Sequence, residues 1–222
     1  MSETLAIAVV GVGGQGVVSL ARMLGSAAID AGLQARVGQI HGLSQRGGSV
    51  EATVVIGPGS TAYIAPGGAD VVLALEPLEA LRAVPKMAAT AGVVLNDSPI
   101  VPADLTLHRQ DYPDLDSIVT QIDEVARNTF VVDGTARAQQ AGSVRLLNVV
   151  ILGAAAALEL LPVPAATLVA AAERFVGARH PDALRAAFSL GTERGGELAA
   201  GRLQTTISPP GVDADQPFSP KR

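Results

Sequence analysis

The 222-residue chain contains no cysteine. That excludes disulfide bonds, a cysteine nucleophile and any iron–sulfur cluster held by this chain's own thiolates. A cysteine-free chain suits a reducing compartment, and the expected location is the cytoplasm. Positive charge is also in short supply. Lys and Arg number 16 against 21 Asp and Glu, a formal net charge of −5, which leaves no electrostatic footprint for nucleic acid. The three histidines, His41, His108 and His180, are far apart in sequence. No His/Asp cluster accompanies them, so no metal-ligand spacing is present and no metal site is expected. Met1-Ser2-Glu3-Thr4 lacks a basic n-region, and no signal peptide is expected. One stretch, Leu146–Ala172, is apolar enough to suggest a membrane span. It carries Glu159 near its middle, with Pro162 and Pro164 just after. A charge at the bilayer centre costs roughly 2.5 kcal/mol or more. Two packed helices joined by Leu161-Pro162-Val163-Pro164 account for the stretch better.

What is present is a globular composition, 48% hydrophobic and 17% charged, far from that of a disordered chain. The length fits one α/β domain with a helical appendage. Leu5–Val10 is a nearly continuous apolar run, as expected of a strand buried on both faces. Val17–Ala31 has helical spacing, with Val17, Leu20, Leu24, Ala28 and Ile29 on the inward face and Gly32 as its stop. Ala35–Ile40 and Val50–Ile56 are the next two strands. Only a short loop separates them, too short for a crossover helix, so antiparallel pairing is expected here. Asp70–Leu75 is a further buried strand. Glu76-Pro77 opens a helix expected to reach Ala89, with Leu78, Leu81 and Val84 inward. Gly92–Leu95 is a strand, Asp114–Arg127 a helix and Thr129–Val132 the last strand. Residues 135–200 read as nearly all helix. The pattern predicts a three-layer α/β/α Rossmann-like sandwich with a mixed, mainly parallel sheet and a helical C-terminal region. The domain is expected to span residues 1–200. Residues 201–222 are expected to form a flexible tail, rich in Pro, Asp and Ser from about Thr206.

Two glycine-rich loops follow the first two strands, at the carboxyl ends where open α/β sheets bind ligands. On adjacent strands they would face one crevice. The first is Gly11-Val12-Gly13-Gly14-Gln15-Gly16. It matches the G-x-G-x-x-G dinucleotide pattern, in which glycines admit positive φ and bring backbone N–H groups to an oxyanion at a helix N-terminus. The full pattern wants an acid at the end of the second strand. Gln39, Ile40 and His41 stand there instead, which disfavours NAD. The competing explanation is that these glycines only let helix and strand pack closely.

The second loop is His41-Gly42-Leu43-Ser44-Gln45-Arg46-Gly47-Gly48-Ser49. It combines an imidazole, a hydroxyl, an amide and a guanidinium. Arg46 suits an anion clamp on carboxylate or phosphate, or a structural pair with Glu51 or Glu76. His41 suits a hydrogen-bond donor or proton shuttle, or a capped loop histidine. Ser44 has no local triad pattern. The candidate binding residues are therefore Gly13, Gly14, Gln15, Gly16, His41, Ser44, Gln45, Arg46, Gly47 and Gly48, with His41 and Arg46 the only catalytic candidates. The segment Glu76–Arg82 reads either as a solvated helix with a Glu79–Arg82 pair or as a strand end whose Glu76 faces the crevice.

These two loops, together with Leu75-Glu76-Pro77-Leu78-Glu79-Ala80-Leu81-Arg82, Leu95-Asn96, Pro99-Ile100-Val101-Pro102 and Asn148-Val149-Val150-Ile151-Leu152-Gly153, resemble the gamma-type domain of the 2-oxoacid:ferredoxin oxidoreductases. The form His41-Gly42-Leu43-Ser44-Gln45-Arg46-Gly47-Gly48 is most similar to the beta-subunit branch of the indolepyruvate enzymes. The resemblance covers most of residues 5–190. It implies an oxidoreductase complex that decarboxylates an aryl 2-oxoacid on thiamine diphosphate, passes electrons through [4Fe-4S] clusters to ferredoxin, and forms an acyl-CoA. A larger alpha-type catalytic subunit would carry thiamine diphosphate, its Mg ion and the clusters. This chain would bind none of these alone, and it has no Gly-Asp-Gly…Asn stretch of the kind that holds the diphosphate metal. Its loops would complete the substrate or coenzyme A side of the active site. Two other expectations remain open. One is a non-catalytic assembly subunit whose loops make only an interface. The other is a stand-alone nucleotide-binding reductase.

Overall fold

The computed structural model describes residues 4–41, 48–59, 61–101, 111–176 and 181–207; of residues 40, 41, 176 and 202–207 it describes the backbone only. The strands are β1 (Leu5–Val12), β2 (Ala35–His41), β3 (Ser49–Ile56), β4 (Ala69–Ala74), β5 (Met87–Asn96) and β6 (Asn128–Val132). The helices are α1 (Val17–Asp30), α2 (Pro77–Arg82), α3 (Leu115–Asp123), α4 (Gly134–Gln140), α5 (Leu147–Ala157), α6 (Ala165–Val176) and α7 (Pro181–Ile207). Short 3-10 turns at Val84–Lys86 and Val144–Leu146 precede β5 and α5.

The strands form one sheet in the order β2-β3-β1-β4-β5-β6. β1, β4, β5 and β6 are parallel neighbours. β3 runs antiparallel to both β1 and β2. The expected adjacency of β1 and β2 is therefore corrected: the hairpin folds β3 in between. Two antiparallel steps still leave β1 and β2 pointing the same way, so their carboxyl ends reach the same edge. Val12 sits opposite Ser49 and His41 opposite Val50.

Alternate side chains of each strand feed opposite cores, as the period of a pleated strand requires. Ile7, Val9, Val54, Leu73 and Val94 pack under α1, α4, α5, α6 and α7. Ala8, Val10, Val55, Val72, Val93 and Leu95 pack against α2 and α3, through Ala80, Ile118 and Ile122. Burial on both faces is why these strands read as continuous apolar runs. The result is the α/β/α sandwich expected from the sequence, with the helical C-terminal third closing one face.

Three local expectations need correction. The helix opening at Pro77 stops at Arg82 and not at Ala89, because Pro85 has no N–H and its ring would strike the preceding turn; β5 accordingly starts early, at Met87. Ile29 is 61% exposed. It lies roughly 140° round the helix from Leu24 at 3.6 residues per turn, off the stripe formed by Val17, Leu20, Met23, Leu24, Ala27 and Ala28. The last helix runs past residue 200 to Ile207. Its middle lies directly on α5: a Cβ added at Gly191, Gly195 or Gly153 would overlap the backbone of Val150, Ala154 or Phe188 respectively. No helix among the described residues is long and apolar enough to cross a membrane, and Leu146–Ala172 forms two helices that turn at residues 158–164.

Candidate functional site

The carboxyl edge of the sheet is tied together by polar side chains. Gln15 bends back so that its Oε1 accepts from the Val12 N–H at 2.7 Å and its Nε2 donates to the Leu75 carbonyl at 2.8 Å. This closes the first loop onto the end of β4. Asn96, fully buried at the end of β5, donates to the same Leu75 carbonyl at 3.1 Å. Its Oδ1 accepts from the N–H of Thr135 in the first turn of α4 at 3.1 Å. The Gly13 N–H donates to the Gly48 carbonyl at 2.9 Å. The first loop and the exit of the second are thus joined at one edge.

Loop 1 is a ridge between two clefts. On the β3 side lies an open cleft of about 360 Å³ lined by Gly13, Gly14, Gly16, Ser19 and Val50, among others. It opens on the N-terminus of α1. That end carries no acidic side chain in its first turn and no side-chain cap, so its positive pole, roughly half a charge, is uncompensated there. On the other side is a cavity of about 390 Å³ walled by Gly13, Gly14, Gln15, Ser98, Pro99, Ile100, Thr135 and the Val144–Leu147 turn. Hydroxyls, an exposed Arg145 and apolar side chains share this wall, the mixture expected of a small-molecule pocket.

Of the sequence candidates, Gly13, Gly14, Gln15, Gly16 and Gly48 meet here. His41 ends β2 on the same edge, while Gly42, Leu43, Ser44, Gln45, Arg46 and Gly47 lie outside the described residues. Close packing explains some of the glycines. Gly16 takes φ 89° against Asn148, and Gly11 faces Gln15, Leu75 and Val17, whereas nothing lies within 4 Å of a Cβ at Gly14. Three backbone N–H groups of the loop are also spent within the protein, that of Val12 on the Gln15 side chain, that of Gly13 on Gly48 and that of Gln15 on the Val12 carbonyl.

The carboxylates considered as partners for Arg46 are both engaged. Glu51 pairs with Lys86. Glu76 is fully buried; its Oε2 accepts from the Glu79 N–H at 3.0 Å, and its Oε1 from the Ile100 N–H at 3.1 Å and the Tyr112 hydroxyl at 2.5 Å. A solvated helix is therefore the wrong picture of Glu76–Arg82. Glu79 does pair with Arg82 at 2.6 Å, but it is itself only 3% exposed, and its other oxygen accepts from the Ser49 hydroxyl at the entry to β3. Burial first, and the hydrogen bond and charge of Glu76 next, push the Tyr112 phenol well above its usual range, so it remains a donor.

Sequence reasoning missed Ser98, Thr135, Asn148 and Arg145. Asn148 had left a signal, an amide in the otherwise apolar Leu146–Leu152 run, since a buried amide must find partners. Its Nδ2 reaches the Gly16 carbonyl at 3.4 Å, and its Oδ1 is buried with no partner among the described residues. Among those residues no group of three His, Cys, Asp or Glu stands ready for a metal ion.

A family model described as pyruvate ferredoxin/flavodoxin oxidoreductase matches residues 6–193. The indolepyruvate oxidoreductase subunit IorB of Methanothermobacter thermautotrophicus is 41% identical over 163 residues, 73% of this chain and 83% of that protein. Among solved structures, the gamma subunit of keto/oxoacid ferredoxin oxidoreductase from Geobacter sulfurreducens superposes with a TM-score of 0.63 at 23% identity, covering 86% of this chain and 98% of that one. The 2-oxoglutarate:ferredoxin oxidoreductase from Magnetococcus marinus, solved with 2-oxoglutarate, coenzyme A and succinyl-CoA, gives a TM-score of 0.68 at 22% identity, covering 89% of this chain and 32% of that longer one.

Proposed function

Because the chain belongs to the pyruvate ferredoxin/flavodoxin oxidoreductase family, beside the IorB subunits of indolepyruvate oxidoreductase, we propose that it is the non-cluster subunit of a cytoplasmic, thiamine-diphosphate-dependent indolepyruvate or arylpyruvate ferredoxin oxidoreductase. It works with a larger catalytic subunit. That subunit supplies thiamine diphosphate, Mg and the [4Fe-4S] clusters, and ferredoxin accepts the electrons. This chain has no cysteine with which to hold a cluster, and among the described residues no group of three His, Cys, Asp or Glu is placed for a metal ion. Its part is to bind and orient the 2-oxoacid or coenzyme A and to keep water from them.

The observation that carries this reading is the 2.9 Å hydrogen bond from the Gly13 N–H to the Gly48 carbonyl. It joins the roots of both loops at the sheet edge where ligands of open α/β folds bind. Loop 1 then offers close backbone approach, and Arg46 an anion clamp for a carboxylate or phosphate. The internal use of the Gly13 and Gln15 amides favours a second reading, in which the loops make only a subunit interface. Arg46→Ala in the assembled enzyme separates the two. An anion clamp lowers kcat/KM by about tenfold or more, a loss of ~1.4 kcal/mol. A change within about twofold, ~0.4 kcal/mol, overturns the clamp.

A further inference from the structure

After β5 the described chain continues to Val101, and it is described again from Asp111, just before α3. Ser98, Pro99 and Ile100 form the outer wall of the cavity beside loop 1. No strand pairing holds them. Asn96 Nδ2 donates to the Ser98 carbonyl at 3.4 Å from one side. From the other, one oxygen of Glu76 accepts both the Ile100 N–H, just after β5, and the Tyr112 hydroxyl, just before α3. The same carboxylate caps α2 through its second oxygen. A carboxylate with no exposure, closed by three donors from three segments, does more than a helix cap requires. Ser or Asn at the cap position would have served α2 alone. The Tyr112 oxygen also accepts the Leu78 N–H at 3.0 Å, which fixes the ring against the start of the same helix.

We propose that Glu76 and Tyr112 are positioning residues, holding the Ser98–Ile100 wall against loop 1 and so setting the KM of the substrate that fills the cavity. Neither side chain lines the cavity, so each acts through the wall. The inference rests on the reading that this edge is part of the oxidoreductase active site.

The test uses the assembled complex. Glu76→Ala would strand three donors, one of them the buried Glu79 N–H, and threatens the fold, so the informative variant is Tyr112→Phe, which removes one hydroxyl. Val144→Trp, at the exposed rim of the cavity, serves as the reporter: it fills the space and identifies which KM, that of the 2-oxoacid or that of coenzyme A, reads the cavity. Tyr112→Phe is expected to raise that same KM by at least about threefold while kcat stays within about twofold. Amide exchange at Ile100 should speed up in parallel. If Val144→Trp raises a KM and Tyr112→Phe only lowers Tm, the wall does not depend on the clasp and the inference is overturned, with the active-site reading intact. If Val144→Trp moves neither KM, the cavity lies outside the active site, and the reading and the inference fall together.

Discussion

At Gly16 two constraints coincide. Its φ of 89° is left-handed, and a Cβ there would meet the Asn148 amide nitrogen at 2.6 Å. Gly14, two residues earlier, has φ 105° but open space. Gly14→Ala should therefore cost only the backbone strain, about 1 kcal/mol. Gly16→Ala should cost that plus the displacement of Asn148, about 2–3 kcal/mol in total. Thermal melts of the two variants would check the difference, and equal losses would mean that Asn148 yields freely. The glycines themselves were legible in the sequence, and so was their place after a strand. Which of them face a neighbour and which face solvent was not, because that depends on α5, more than a hundred residues further along. The same applies to Glu76. Its neighbours in sequence suggest a surface helix, whereas two of the partners that close its buried carboxylate, Ile100 and Tyr112, lie 24 and 36 residues further along.

At the scale of elements, periodicity located nearly every strand and helix, since the central strands β1, β4 and β5 are buried on both faces and α1 carries one apolar stripe. The order of the strands was hidden. Inserting β3 between β1 and β2 follows from pairing partners that sequence spacing does not encode. The Pro85 stop of α2 was visible but was outweighed by the apolar spacing of Leu78, Leu81 and Val84. The α5–α7 seam was also invisible, because a glycine in a helix reads as a weakness until the facing backbone is known. Gly191→Ala tests that seam. Its Cβ would fall onto the Val150 carbonyl, and the helices must part or tilt, at a cost of about 2–3 kcal/mol. Chemical denaturation would measure it, and a loss below about 0.5 kcal/mol would mean that the helices separate without strain.

The whole molecule is a scaffold whose working edge is assembled from the ends of β1, β2, β4 and β5, with β3 starting there. About half the sequence candidates lie on that described edge; the Arg46 segment lies outside the described residues. Co-expression with a larger catalytic subunit is the expected route to an active enzyme. The purified complex should contain iron and thiamine diphosphate, with this chain present in a fixed ratio, as quantified by metal and cofactor analysis. A complex that keeps full activity after this chain is stripped away would contradict its role. The glycine seam bears on that edge from a distance. α7 touches α5 backbone to backbone, and the second residue of α5 is Asn148, whose amide lies beneath Gly16. At Gly153, Gly191 and Gly195 no room is left for even a methyl group between the two backbones. The final helix therefore works as a shim under the glycine turn: whatever thickens it lifts the floor on which the first loop rests.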